Sequence, residues 1–161
     1  MTNPKEEITR RIGALVGLEV SGVHNAAAML TLQFGPLRTV TMYRGTVKQA
    51  GAWALHIQCG WQVERDGSIL ATQERFHHSD DETSRAVQKI NEVMVTSGAA
   101  IVEHVEASES GGVCLFMSSG LRLAITPSGV VGEEDWRFFS PGVHAKHFVI
   151  EGGAIDPHSL S

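Results

Sequence analysis

A chain of 161 residues with 42% hydrophobic and 19% charged side chains has enough apolar substance for one folded domain and lacks the bias of a disordered segment. A formal net charge of −5, with the histidines neutral, disfavours binding to nucleic acid through phosphate contacts and suits a basic partner better. Two cysteines are too few for a disulfide scaffold, and no apolar run reaches the length of a membrane span, so a soluble, reducing, cytoplasmic setting is the expectation.

The first segment has the grammar of a helix start. Asn3 can cap free amides, Pro4 fits the first helical position, and Glu6 can reach back toward the cap. Ile8, Ile12, Leu15 and Val16 form an apolar stripe at helical spacing, with Gly17 as the stop. Strands are expected next over residues 18–23, 29–34 and 37–43, with Gly35-Pro36 between the last two and a loop over 45–51.

The stretch WALHIQCGWQVE, Trp53 to Glu64, alternates more cleanly than any other. Trp53, Leu55, Ile57, Cys59, Trp61 and Val63 fall on one side, and Ala54, His56, Gln58, Gly60, Gln62 and Glu64 on the other. Successive side chains of an extended strand point to opposite faces, so this reads as one long central strand with a buried and a partly wet face. Asp66-Gly67 marks a tight hairpin turn, and a strand returns over 69–72.

Ser79 with Glu82 three residues on makes a capping box, and Asp80 and Asp81 suit the positive end of a helix dipole. Ala86, Val87, Ile90, Val93 and Met94 supply the buried stripe of this second helix, which ends at Gly98. Strands are then expected over 100–106, 113–117, 121–126, 135–139 and 147–151.

The two portions, about 1–78 and 79–161, read as a helix-plus-meander unit used twice. Met29 to Arg38 lies against Val113 to Arg122, the Leu-Arg pair at Leu37-Arg38 recurring at Leu121-Arg122. The fold class is therefore α+β, with antiparallel sheets from two related halves and one helix per half packed on them.

Few side chains suggest chemistry. His56, Gln58 and Gln62 share the polar face of the long strand and are candidate binding residues, joined by Arg38 and Arg122 if a cleft lies between the halves. Trp136 and Phe138 share one face of a strand, and Arg137 and Phe139 the other. Such opposed aromatic faces mean either burial on both sides or a patch that meets a partner. His77-His78 beside Asp80 and Asp81 could supply metal ligands, yet adjacent residues on an extended segment point apart, and the helix start already explains the acids. Cys59 and Cys114 sit in apolar runs and are expected to be buried, inert thiols. No catalytic set, metal site or cofactor is assigned.

With WALHIQCGW before a short hairpin, LRLAIT before an acidic loop, then EDWRFF and HFVIEGG, the chain resembles a family of small uncharacterised bacterial proteins over Met29 to Gly153. Some of these look like immunity proteins for secreted polymorphic toxins. The resemblance implies a non-catalytic, immunity-like protein that binds a basic toxin-like protein by surface contact. The alternative is a small-molecule binding or enzymatic domain with a cleft between its halves. A homodimer pairing through exposed strand edges is a third expectation.

Overall fold

The computed structural model describes residues 3–41 and 44–160. Helix α1 (Pro4–Ile12) starts where the sequence places it, with Asn3 Oδ1 accepting from Lys5 N at 2.9 Å. Ile8, Ile12 and Leu15 are buried. Val16 is exposed, because the chain tightens into a 3-10 turn at Gly13–Leu15 and then extends, carrying Val16 off the stripe.

Strands β1 (Val20–Ala26), β2 (Met29–Phe34), β3 (Arg38–Thr41), β4 (Val47–Ala50), β5 (Trp53–Ile57), β6 (Gly60–Arg65) and β7 (Ser68–Thr72) follow. Met42 and Tyr43, expected to extend the third strand, lie outside the described residues. Helix α2 (Asp80–Asn91) is capped by Ser79, whose Oγ accepts from Glu82 N at 3.2 Å. Strands β8 (Val102–Ala107), β9 (Val113–Met117), β10 (Leu121–Thr126), β11 (Glu134–Phe139), β12 (Phe148–Glu151) and β13 (Ala154–Ile155) complete the chain order.

The strands form two antiparallel sheets, β1-β2-β5-β11-β12-β13 and β7-β6-β10-β9-β8, with β3-β4 as a separate hairpin. The expected single strand from Trp53 to Glu64 is thus two, one in each sheet. The break is at Gln58-Cys59, where both amides donate to the Asp135 carbonyl at 2.8 and 3.1 Å. Cys59, Trp61 and Val63 stay buried beyond it because both sheets wrap the same core. Alternation therefore continues through a corner that burial does not mark. Asp135 is itself buried, its carboxylate satisfied by Ser128 N (2.9 Å), Ser128 Oγ (3.1 Å) and Gly153 N (2.8 Å).

Residues 1–78 give β1, β2 and β5 to the first sheet and β6 and β7 to the second, and residues 79–161 give β8–β10 to the second and β11–β13 to the first. The seams are β5 against β11, with Ile57 opposite Trp136, and β6 against β10, with Val63 opposite Leu123. The helices cross over too: α1 packs on β8, and α2 on β1 and β7. The recurring Leu-Arg pairs occupy unlike places. Leu37 is half exposed before the outlying hairpin, whereas Leu121 is buried at the start of β10. Trp61 on β6 and Trp136 on β11 are both buried. Each meets a phenylalanine edge-on, Phe76 at 5.1 Å and Phe148 at 5.9 Å.

Candidate functional site

Cross-strand pairing assembles a polar row on the outer face of the first sheet. His24 stands opposite Thr31, Thr31 opposite His56, His56 opposite Arg137, and Arg137 opposite Val149. The row runs across five neighbouring strands, and the pairing of β5 with β11 brings His56 and Arg137 together although they are far apart in sequence.

Arg137 is fixed from two sides. Its Nε donates to Glu134 Oε2 at 3.0 Å, and its Nη2 donates to Glu134 Oε1, a forked pair with a residue three positions back on the same strand, across the register shift between Glu134 and Trp136. Gln58 Nε2 also donates to Glu134 Oε2, at 2.9 Å. On its far side, Arg137 Nη1 lies 3.0 Å from His147 Nδ1. A guanidinium only donates, so Nδ1 is the acceptor and the proton of neutral His147 sits on Nε2. The His147 ring stacks on Phe139 (4.0 Å, 10°), and His56 meets the same phenylalanine edge-on (4.8 Å, 88°).

These contacts set the charges. Burial lowers the His56 pKa below its ordinary value, helped by Arg137, His147 and Lys48 and opposed by Glu134. His147 is lowered by burial and then by Arg137. Glu134 is held low by its hydrogen bonds from Arg137, and Arg137 is raised by the same pairing.

A cavity of about 630 Å³ opens above this row. Its floor is His56 and Phe139, its walls are the β3–β4 hairpin with Thr41 and Lys48, and its rim is the segment 140–147 with His144 and His147. Segment and hairpin are tied together. Arg38 Nη2 donates to Pro141 O at 3.2 Å, and Ser140 Oγ donates to Ala52 O at 2.9 Å. At the hairpin base Gly51 passes so close to β2 that a Cβ there would lie 2.4 Å from Phe34 O. Gly51 N donates to Gln33 Oε1 at 3.0 Å, which leaves the Gln33 amide hydrogens for the cavity that this residue lines.

The sequence candidates divide among five places. His56 lines the cavity, and Gln58 and Arg137 belong to the network beside it. Arg38 ties the rim down from outside. Gln62 and Arg122 lie on the outer face of the second sheet, where Arg122 Nη1 is 3.8 Å from Glu64 and Arg122 Nε donates to Cys114 Sγ at 2.9 Å. Trp136 is fully buried, its Nε1 donating to Gly111 O at 2.9 Å, so of the two readings of its aromatic strand burial holds for this side chain. Cys59 is buried and its thiol pushed up to about 12, whereas Cys114 is only half buried, on a face the apolar run did not reveal.

Lys48, Phe139 and His147 were missed as site residues. The one available signal was Phe139 on the Arg137 face, followed by the His144-Ala145-Lys146-His147 run. Among the described residues no three His, Cys, Asp or Glu side chains gather closely enough to hold a metal ion, and His78 faces Glu82 at 4.0 Å. Among them, too, no helix is long and apolar enough to cross a membrane. The likeness to immunity proteins rests on sequence patterns alone: no family model, no curated protein and no solved structure matches the chain.

Proposed function

We propose that this chain is a non-catalytic binding protein whose small-molecule site is the cavity between the β3–β4 hairpin and the outer face of the first sheet. The observation that carries this reading is the cavity itself. Its volume of about 630 Å³ is of the size that encloses a small molecule, and it combines an aromatic floor with a few polar groups. Binding rather than catalysis is favoured because Ser140, a hydroxyl on the lining, gives its proton to the Ala52 carbonyl and not to an imidazole. Isotope-labelled protein titrated with a diverse fragment collection tests the reading. Saturable shifts confined to Lys48, His56, Phe139 and Gly142 are expected, and hits that all map elsewhere would overturn it.

The outer face of the second sheet supports a second reading, contact with a basic protein of the toxin-like kind. There Phe116 is flanked by Arg122 at 5.4 Å and His104 at 5.6 Å, with the carboxylates of Glu64 and Glu106 alongside. A partner from the native cell that cross-links through Glu64 or Glu106 would support this role. Cross-links confined to other faces would remove it.

A further inference from the structure

Resting on the cavity reading above, we propose that the ligand carries an oxyanion, carboxylate or phosphate, joined to a flat apolar body.

The first argument is charge. The chain has a net charge of −5, yet among the described residues the cavity is lined by the Lys48 ammonium and by no carboxylate, while the His56 and His147 rings beside it are kept neutral. The nearest acid in the network, Glu134, is already engaged by the Arg137 guanidinium and by Gln58. A concavity that holds an ammonium and no carboxylate, on a protein of net negative charge, favours an anion.

The second argument is hydrogen-bond balance. Gln33 spends its carbonyl on Gly51 N and keeps its donors, and His147 spends Nδ1 on Arg137 and keeps Nε2–H. Lys48 is a donor only and makes no ion pair among the described residues. Ser140 gives away its one proton, so its oxygen alone could serve a ligand donor. Gln33, Lys48 and His147 therefore present donors to the cavity, and an oxyanion supplies several acceptors on one group.

The third argument is shape. Phe139, stacked on His147 and perpendicular to His56, makes an aromatic cluster on the lining, and Val143 adds an aliphatic wall. A flat hydrocarbon body can pack against that cluster and wall, which a sugar-like body rich in donors would do less well.

The test uses the full chain and two matched pairs of probes, 2-naphthoate with 2-naphthamide and 2-naphthyl phosphate with 2-naphthol, followed by calorimetry and amide shift mapping. At least one anion is expected to bind in the cavity about tenfold more tightly than its neutral partner, the size of one charge-assisted hydrogen bond. Lys48→Met should weaken the anion several-fold more than it weakens the neutral probe. Lys48 is exposed on the hairpin, so this variant tests charge without emptying the core. Carboxylate and phosphate arms separate the two sources of the oxyanion. Neutral probes that bind in the cavity as well as the anions would overturn the inference and leave the cavity reading standing. If no probe of either kind shifts the cavity amides, both fall.

Discussion

Arg137 and His147 share a hydrogen bond of 3.0 Å in which the guanidinium donates to Nδ1 of the ring. Protonating that nitrogen would set N–H against N–H beside a fixed positive charge. His147 is thereby kept as a neutral Nε2–H tautomer, stacked on Phe139.

The tautomer is directly observable. Nitrogen-15 spectra of the imidazoles should show His147 protonated at Nε2 at neutral pH and titrating below the ordinary value of 6.5. Arg137→Met should raise its pKa and mix the tautomers. An Nδ1–H form in the unaltered protein would contradict the geometry.

Stability should fall on acidification in two stages. His56 and His147 have folded pKa values below 6.5, so above that pH they are neutral in both states and cost nothing. As pH drops through 6.5 the unfolded chain takes up protons first, and the fold loses stability until the folded values are passed. Glu134, held below 4.5 when folded, contributes stability above 4.5 that is lost as pH falls through its folded value. Urea midpoints between pH 8 and pH 3 should trace both stages, and His56→Gln should flatten only the upper one.

Trp136→Phe should destabilise by about 1–3 kcal/mol, because it leaves the buried Gly111 carbonyl without its donor. Chemical denaturation measures this. A change within a few tenths of a kcal/mol would mean that the carbonyl finds another partner.

Gly51→Ala should cost about 1–3 kcal/mol, since the added methyl meets the Phe34 backbone, which has no flexible end to yield. The hairpin base would shift with it, so amide shifts at Lys48 and Gln33 should accompany the loss. Unperturbed shifts there would show that the close approach is not what positions the hairpin.

Thiol labelling should distinguish the cysteines. Cys59, buried and pushed up to about 12, should resist modification in the folded state, while half-buried Cys114 reacts first. Cys114→Ser should remove the faster phase and leave the slow one, which follows unfolding.

Helix starts were legible because caps are local: Asn3 and Ser79 lie within three residues of the amides they accept from. The strands Met29–Phe34, Val113–Met117 and Leu121–Thr126 were legible because one face alternates into the core. The corner at Gln58-Cys59 was hidden for the reason given by burial: both sheets enclose one core, so alternation runs on while the pairing partner changes. That corner also misplaced Gln62 beside His56, when the switch of sheet sends it to the opposite outer face. Strand β4 read as a loop because Val47, Lys48 and Gln49 are all exposed, leaving only Ala50 to show a buried side. His147 and Lys48 reach the site through sheet pairing and a hairpin, which sequence spacing does not encode.

The crossing of strands between the two sheets governs how the chain must be made. A polypeptide released after residue 78 would hold β5 and β6 with their central partners still unsynthesised, so both seams would stand as raw edges. Folding must wait for β10 and β11, a high-contact-order route that is slow and exposes sticky strands on the way. Neither fragment should fold alone, but the two mixed should recover each other, as a zip needs both its rows of teeth.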